Sequence, residues 1–280
     1  MAELTMLARG DLTREAAAML QAAGVPDARR EASRLWRDLL APADGHAGEG
    51  GGTLPARYLA CARRRALGEP LAYVTGWTGF RHLVLGTDRR ALIPRPETEG
   101  LIPLAMHKVP AGMVADIGTG TGAIALSLAH EGRYDRVIAI DCSSPALALA
   151  GENAARCGLP IRFLAGDLTA PLGDATVDLL VSNPPYLAAK EMDALDPSVR
   201  DWEPAMALDG GVDGLEPYRR LLADAPRVLR PGGWIALEID ARRPEETAAL
   251  AVGTGWYDVT IHDDLFGRAR YLLARREIMS

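Results

Sequence analysis

The chain has 280 residues, of which 48% are hydrophobic and 24% charged, and its 31 Lys and Arg against 37 Asp and Glu give a net charge of -6. These values are typical of a globular protein, and the sequence contains neither a membrane span of roughly 20 apolar residues nor a recognisable targeting segment. The three cysteines have no Cys-x-x-Cys spacing, which favours neither a disulfide framework nor a zinc site. We therefore expect a cytoplasmic protein with no metal and no membrane partner.

Residues 1–69 are predicted to form a small helical domain, because apolar residues recur there at helical spacing. These positions are Leu12, Ala16, Met19, Leu20 and Ala23, followed by Ala32, Leu35, Trp36, Leu39 and Leu40. A glycine-rich loop is expected over 41–55, and a further helix over 56–67 that ends at Gly68. Residues 1–70 carry 10 Arg against 9 acidic residues, whereas 71–280 carry 21 basic against 28 acidic residues. The two parts therefore differ in charge.

Residues 70–96 mix aromatic and apolar residues with glycines, which predicts a β-hairpin linker. From residue 97 to 280, predicted strands and helices alternate. The strands are expected at 113–117, 136–140, 161–165, 177–182, 233–239, 256–262 and 269–274, and the helices at 121–130, 145–157, 215–229 and 244–252. This alternation predicts an α/β domain with a mostly parallel, seven-stranded sheet and helices on both faces.

The first of these strands leads into a glycine-rich turn, where residues 116–122 read Asp-Ile-Gly-Thr-Gly-Thr-Gly. Glycines between a strand and a helix allow the backbone to approach a ligand closely. The next strand ends at Asp141, 21 residues after Gly120, where a carboxylate can accept hydrogen bonds from both ribose hydroxyls. The pattern therefore predicts binding of the adenosine part of a cofactor, although the same spacing also satisfies the dinucleotide fingerprint.

Asp116 favours S-adenosylmethionine over a nicotinamide cofactor. Its carboxylate precedes the first glycine by two residues, where it can face the cofactor's ammonium group directly or through water. Dinucleotide sites instead leave the helix N-terminus free for a pyrophosphate. The predicted cofactor contacts in this part of the chain are Asp116, Gly118, Thr119, Gly120, Thr121, Gly122 and Asp141. Cys142 either lines the adenine pocket or is a small buried apolar side chain.

The strand at 177–182 delivers Asn183-Pro184-Pro185-Tyr186 to the carboxyl edge of the sheet. An amide or exocyclic amine is a poor nucleophile, because its lone pair is delocalised. The side-chain oxygen of Asn183 and the backbone carbonyl of Pro184 are acceptors for its two N–H groups, and they can aim its lone pair at a methyl group. Pro185 stiffens the loop, and Tyr186 offers an aromatic face to a planar group. We therefore predict that Asn183, Pro184 and Tyr186 are catalytic and that all four residues bind substrate.

The same tetrad suits a nucleic acid methyltransferase that acts on an exocyclic amine of adenine or guanine. A charge of -7 over residues 71–280 argues against that alternative, because nucleic acid binders carry a basic footprint. A nicotinamide-dependent oxidoreductase and a non-catalytic cofactor-binding scaffold are further alternatives. Asp116 disfavours the oxidoreductase, and the intact tetrad disfavours the scaffold.

The chain resembles the bacterial release factor glutamine methyltransferases, the HemK/PrmC family of class I S-adenosylmethionine-dependent enzymes. The resemblance covers nearly the whole chain. It rests on the tetrad, on the glycine-rich loop, and on the segments 68–76, 92–99, 166–167, 203–211 and 213–215. It implies a Rossmann-like methyltransferase domain over 97–280, an N-terminal helical domain over 1–69 that helps to hold the substrate, and a hairpin linker over 70–96.

The resemblance also implies an activity: transfer of a methyl group from S-adenosylmethionine to the glutamine side chain in the Gly-Gly-Gln motif of class 1 peptide chain release factors. It adds Asp167, Leu168 and Asn183 to the cofactor contacts, with residue 168 against the adenine. Family members often have an aromatic residue at this position, so Leu168 predicts an aliphatic contact and weaker cofactor binding. Arg95 and Glu203 lie in family-specific segments, and we expect them to shape the entrance for the Gly-Gly-Gln loop.

Overall fold

The structure is a computed structural model that describes residues 2–40 and 53–277. It contains three N-terminal helices, α1 (Ala2–Ala22), α2 (Ala28–Leu40) and α3 (Leu54–Ala66). These helices pack around a shared apolar core that includes Leu20, Leu35, Trp36 and Tyr58. The rings of Trp36 and Tyr58 meet edge to face with their centroids 4.9 Å apart, a favourable aromatic geometry.

The predicted loop over 41–55 lies largely outside the described residues. Its last residues differ from the prediction, because Leu54 and Pro55 already belong to α3, with Thr53 as the N-cap residue. Proline is well tolerated in the first turn of a helix, where its missing N–H has no intrahelical partner.

The segment 70–96 is only partly a hairpin. It begins with one helical turn, α4 (Leu71–Thr75), which starts after Pro70 and ends at Gly76 with φ +82°. The hairpin follows as β1 (Trp77–Phe80) and β2 (Leu83–Gly86). α4 is helical because Val74 packs into the core of the N-terminal helices. The indole nitrogen of Trp77 donates to the backbone oxygen of Asp38 at 3.3 Å, so the start of this segment is attached to those helices.

Seven further strands form one sheet in the order β5-β4-β3-β6-β7-β9-β8. Their bounds are β3 (Ala111–Ile117), β4 (Arg133–Asp141), β5 (Ile161–Ala165), β6 (Val177–Ser182), β7 (Leu229–Glu238), β8 (Tyr257–Asp263) and β9 (Ala269–Arg275). Neighbouring strands run parallel from β5 to β7, whereas β9 is antiparallel to both β7 and β8. This topology confirms the predicted mostly parallel, seven-stranded sheet.

Helices cover both faces of the sheet. They are α5 (Leu101–Lys108), α6 (Ala123–Glu131), α7 (Ser144–Cys157), the short α8 (Ala189–Met192) and α9 (Pro197–Arg200), α10 (Glu216–Val228) and α11 (Pro244–Gly253). Successive residues of β3 point to opposite faces, so Val114 joins one apolar cluster with α5 and α6, and Ala115 joins another with α10 and α11. α5 was not predicted. No helix in the described part of the chain is long and apolar enough to cross a bilayer.

The order of the strands determines where a ligand can bind. β3 lies between β4 and β6. The strands β4 and β5, which follow β3 in the chain, lie on one side of it, and the later strands β6 to β9 lie on the other side. In open α/β sheets, a crevice opens beyond the carboxyl ends of the strands at such a point. The loops that follow β3, β4, β5 and β6 all reach this edge, and they carry the predicted site residues.

Candidate active site

The glycine-rich loop after β3 is folded over the end of β4. The backbone N–H groups of Gly118 and Thr119 both donate to the carbonyl of Ile140, at 2.8 Å and 2.9 Å. The carboxylate of Asp141 accepts from the N–H of Gly120 at 2.9 Å and from the N–H of Ser143 at 2.9 Å. Gly118 has φ +72°, a conformation that residues with a Cβ rarely adopt. The loop shape therefore depends on glycine and on Asp141.

A cavity of about 270 Å³ lies against this loop. Its wall contains most of the predicted cofactor contacts: Gly118, Thr119, Gly120, Thr121, Asp141, Asp167, Leu168 and Asn183. Residues that the sequence analysis did not assign to a site also contribute, namely Ala91, Leu92, Ala146, Met206, Pro217 and Arg220. Residues from several distant parts of the chain thus build the wall together.

Gly122 is placed differently from the prediction. It caps the N-terminus of α6 with φ +85°, and a Cβ at this position would lie 3.1 Å from Leu126 Cδ1 and 3.3 Å from Ala150 Cβ. Gly122 therefore allows α6 to pack closely against α7, which is a role in packing and not in the cavity wall.

Asp116 is also placed differently, because it is completely buried and supports the loop from within. Its Oδ2 accepts from the hydroxyl of Thr119 at 2.6 Å and from the N–H of Ala125 at 3.1 Å. Burial raises the pKa of Asp116 to about 7, although these two hydrogen bonds act to lower it. Its Oδ1 is buried without a hydrogen-bond partner. The structure therefore does not show the expected direct exposure to an ammonium group, and one carboxylate oxygen remains available to a further donor.

The far side of the cavity is bordered by Cys142, Asp167 and Leu168. Cys142 is exposed, so the interpretation as a buried apolar side chain is wrong and it lines the cavity instead. Asp167 forms an ion pair with Arg220. Leu168 has φ +48° and packs partly against the sheet core, which brings an aliphatic side chain to the cavity as expected.

The Asn183–Tyr186 loop separates this first cavity from a second cavity of about 330 Å³. Asn183 and Pro185 line both cavities, whereas Pro184 and Tyr186 line the second one. The loop is fixed to the central strand because the hydroxyl of Ser182 donates to the carbonyl of Ile117 at 2.7 Å. The acceptor atoms predicted for the reaction thus belong to the wall between two compartments.

Tyr186 packs partly against the core of the sheet. Burial, together with the nearby carboxylates of Glu238 and Asp240, raises the pKa of its hydroxyl to about 12. The side chain is therefore neutral at physiological pH, and its ring is held in place.

The segment 203–215 forms backbone hydrogen bonds with the end of the Asn183–Tyr186 loop. The N–H of Leu187 donates to the carbonyl of Leu208 at 3.0 Å, and the N–H of Gly210 donates back to the carbonyl of Leu187 at 2.8 Å. A Cβ on Gly210 would lie 2.8 Å from the backbone of Tyr186, which is closer than real contacts allow. The glycine is therefore required for this close approach of two backbones.

Arg95 and Glu203 form an ion pair at the edge of both cavities. Arg95 Nη2 donates to Glu203 Oε1 at 2.6 Å, and the other oxygen of Glu203 accepts from the N–H of Ile93 at 3.1 Å. The Glu203 side chain is 1% exposed, whereas Arg95 is 31% exposed and lines both cavities. Glu203 thus fixes the segment that carries Arg95, and the expected role of this pair at the entrance stays a prediction.

Two residues without an assigned role contact Asn183 directly or through a neighbour. Asn183 Nδ2 donates to Thr98 Oγ1 at 3.1 Å, and the hydroxyl of Thr98 donates to Glu238 Oε2 at 2.6 Å. Both residues are buried, and Thr98 lies in the short 3-10 helix Pro96–Gly100 before α5. In the sequence, Thr98 is 85 residues from Asn183 and 140 residues from Glu238, so no local spacing indicates these contacts.

In the described ranges 2–40 and 53–277, no group of three or more His, Cys, Asp and Glu side chains is arranged to hold a metal ion.

A seven-stranded sheet of this order, with a glycine-rich loop after its first strand and an Asn-Pro-Pro-Tyr loop after its fourth, defines a class I methyltransferase. A family model described as "Methyltransferase small domain" matches residues 98–197. The fold is also that of a methyltransferase from Pyrococcus furiosus, with a TM-score of 0.55 and 20% identity over 80% of this chain and 98% of that one.

Curated relatives give the family. A release factor glutamine methyltransferase of Geobacter sulfurreducens is 40% identical over 79% of this chain and 79% of its own length. Another, of Cereibacter sphaeroides, is 42% identical over 95% of this chain and 97% of its own length. The chain belongs to the release factor glutamine methyltransferase family. Family and fold together imply the use of S-adenosylmethionine.

Proposed function

We propose that this protein transfers a methyl group from S-adenosylmethionine to the side-chain amide nitrogen of the glutamine in the Gly-Gly-Gln motif of class 1 peptide chain release factors, and so supports translation termination. The observation that carries the proposal is the position of Asn183, which lines both the cofactor cavity and the adjoining cavity. The sequence similarity to release factor glutamine methyltransferases over up to 95% of the chain supports the choice of substrate.

The residues of the first cavity fit the cofactor. The backbone of 118–121 offers a close approach, the Asp141 carboxylate still has lone pairs for ribose hydroxyls, and Leu168 and Cys142 offer apolar surface to an adenine. Below the glycine-rich loop, the Oδ1 of Asp116 is buried without a hydrogen-bond partner, so it can accept from one further donor. The cofactor supplies an electrophilic methyl group on a sulfonium sulfur.

The protein's own contribution to the reaction is to bind and orient the nitrogen nucleophile. Asn183 Oδ1 and the carbonyl of Pro184 are acceptors for the two N–H groups of a carboxamide, and this pairing directs the nitrogen lone pair. Tyr186 offers its ring as a neutral surface for the planar amide. A general base is not required before attack, because the methylated nitrogen is acidic and loses its proton to water.

The second cavity is the proposed place of the glutamine side chain. Apart from Arg95 and Asn183, its wall is largely apolar, and it is bordered by Pro184, Pro185, Tyr186, Leu187, Leu195, Val199 and Leu208. An apolar wall with few polar groups fits a glutamine side chain, whose methylene groups need an apolar environment and whose amide needs specific acceptors. Arg95, held by Glu203, is the charged group at its edge.

Each of the three parts of the chain has a proposed role. We propose that residues 1–69 help to hold the release factor, that 70–96 link this domain to the rest, and that 97–280 perform the transfer. The proposed partners are class 1 release factors, without direct nucleic acid or membrane partners, and the proposed compartment is the cytoplasm, where these factors act. No metal is expected in the reaction.

Mass spectrometry of an unmethylated class 1 release factor, incubated with this protein and S-adenosylmethionine, tests the proposal. We expect one added methyl group, located by peptide analysis on the glutamine of Gly-Gly-Gln. The matched control is Asn183→Ala, which should bind cofactor nearly normally, as judged by thermal shift, yet transfer methyl groups about 10²–10³-fold more slowly, the usual effect of removing one preorganised polar group.

Three outcomes count against the proposal. Wild-type turnover in Asn183→Ala removes the role of this residue. No transfer to the release factor, despite a cofactor-induced thermal shift, removes the substrate. Transfer to the exocyclic amine of a nucleic acid base instead supports the alternative function.

A further inference from the structure

The orientation of the Asn183 side chain determines what it offers to a substrate. The oxygen acceptor and the NH₂ donor of a carboxamide occupy nearly equivalent positions about its carbon atom. A rotation by 180° about the last side-chain torsion therefore exchanges them. A substrate nitrogen that donates N–H groups is bound only when Oδ1 points toward it. Some other contact has to exclude the opposite orientation.

Thr98 supplies that contact. Its hydroxyl carries a single proton, and this proton is donated to Glu238 Oε2 at 2.6 Å. The remaining lone pairs of Thr98 Oγ1 can only accept, and they accept from Asn183 Nδ2 at 3.1 Å. The NH₂ end of Asn183 is thereby directed toward Thr98, which leaves Oδ1 for the cavities.

We propose that Thr98 and Glu238 are positioning residues that fix the amide orientation of Asn183, so that its oxygen accepts an N–H of the substrate nitrogen. The inference rests on the proposed function in one respect, since it takes the substrate to be a nitrogen nucleophile with N–H groups. Thr98 also lines the first cavity, and in this proposal both residues act on the reaction through Asn183.

The direction of this chain of donors is fixed while Glu238 is ionised, because a carboxylate can only accept. A protonated Glu238 can donate to Thr98, and the Thr98 proton is then free to point at Asn183 and to stabilise the reversed amide. Burial raises the pKa of Glu238 to about 7, while the hydrogen bond from Thr98 and the positive charges of Arg270 and Arg95 oppose this shift, and Glu97 adds to it. The tyrosines that also face this carboxylate stay neutral, because burial raises their pKa values: Tyr186, Tyr218 and Tyr271.

The first test compares turnover numbers. Thr98→Val keeps the shape of the side chain and removes the hydroxyl, and we expect it to lower kcat about 10–100-fold with little change in cofactor affinity, because one buried hydrogen bond to Asn183 is lost. Thr98→Ser should restore most of the rate. The matched control is Thr87→Val, which removes the equally buried hydroxyl that donates to Ala72 O at 2.9 Å outside the site, and which should keep wild-type kcat.

The second test asks whether Thr98 acts through Asn183. In the Asn183→Ala background, Thr98→Val should cause no additional loss of rate, because the group it positions is already absent. A purely structural defect would instead multiply the two losses. Multiplied losses, or wild-type kcat in Thr98→Val, overturn the proposal.

The third test uses pH. Since only the ionised Glu238 fixes the productive orientation, wild-type kcat should fall as the pH decreases through about 7. Glu238→Gln cannot ionise, so this acidic limb should be absent in the variant. An unchanged acidic limb in Glu238→Gln contradicts the assignment.

A measurement that needs no turnover keeps this inference separate from the proposed function. The side-chain NH₂ of Asn183, assigned in the NMR spectrum by comparison with Asn183→Ala, should exchange slowly in the wild type, Thr98→Ser and Thr87→Val, and quickly in Thr98→Val. Equal exchange in all four proteins overturns the positioning role, even if release factor is methylated. Slow exchange in the wild type and Thr98→Ser but fast exchange in Thr98→Val supports it, even if another substrate is found.

Discussion

Asp116 is the residue whose environment differs most from the sequence-based expectation. The sequence shows a carboxylate just before a glycine-rich loop, where an exposed acid is a natural assumption. The structure buries it completely, because its Oδ2 is needed to hold Thr119 and the start of α6. Only the tertiary structure reveals this burial, since the residues that cover Asp116 come from other strands.

The buried carboxyl makes the stability of the cofactor-free protein depend on pH. Burial raises its pKa from 3.8 to about 7. Between these two values the folded state holds a proton that the unfolded state has released, so stability is highest at low pH and falls as the pH rises toward 7. Asp116→Asn preserves both hydrogen bonds and removes the ionisation.

We therefore expect the wild type to lose about 2 kcal/mol of unfolding free energy relative to Asp116→Asn between pH 5 and pH 7.5, or about 4 °C in Tm. Thermal unfolding of both proteins at the two pH values, without cofactor, measures this difference. Burial also raises the pKa of Glu238, but this carboxyl titrates equally in both proteins and its effect cancels. A Tm difference that is the same at both pH values contradicts the assignment.

At the scale of the elements, Asn153 on α7 connects the hairpin to the cofactor loop. Its Nδ2 donates to the carbonyls of Gly86 at 3.1 Å and Thr121 at 2.9 Å, and its Oδ1 accepts from the N–H of Gly86 at 2.7 Å. The side chain is completely buried. One amide thus satisfies three backbone groups on two separate segments.

Asn153→Ala leaves these three backbone groups without partners in a buried place. We expect it to lower the free energy of unfolding by about 3 kcal/mol and to weaken cofactor binding, because Thr121 belongs to the cavity wall. Denaturant unfolding and a cofactor titration measure the two effects. Ala155→Ser, on the exposed side of the same helix, is the control, and equal values for the two variants would refute the proposed connection.

Elements with a strong pattern were predicted closely. The structure reproduces the predicted bounds of β5 and β6. The missed elements have other causes. α5 is short and contains Pro103 in its first turn, and α4 is helical through its packing on the N-terminal helices. The second cavity and the Thr98–Glu238 contact require loops far apart in sequence, so periodicity carries no information about them.

For the whole molecule, charge is the property that separates the two candidate substrates. Residues 71–280, which carry the site, have 28 acidic against 21 basic residues. A protein that neutralises 6–10 phosphates loses about 10³–10⁵-fold in affinity between 50 mM and 200 mM salt, whereas an acidic domain that binds a protein loop has no such footprint.

We therefore expect the KM for the release factor to change less than about threefold between 50 mM and 200 mM NaCl, because few counterions are released on binding. Methylation rates at a series of release factor concentrations, measured at both salt concentrations, give this value. A change of 100-fold or more would show that charge–charge contacts dominate the binding of the release factor and would contradict this expectation.

The exposed thiol of Cys142 has a consequence for inhibitor design. It lies on the wall of the cofactor cavity, whereas Cys61 and Cys157 are half-buried elsewhere. Partial burial and the neighbouring Asp141 raise the pKa of the thiol, so it is mostly protonated at neutral pH and reacts slowly with weak electrophiles. A compound that binds in this cavity can hold an electrophile close to the thiol. This proximity raises the reaction rate and so compensates for the low reactivity of the protonated thiol. Covalent ligands of this kind would then discriminate this enzyme from methyltransferases that have no cysteine at the position of Cys142.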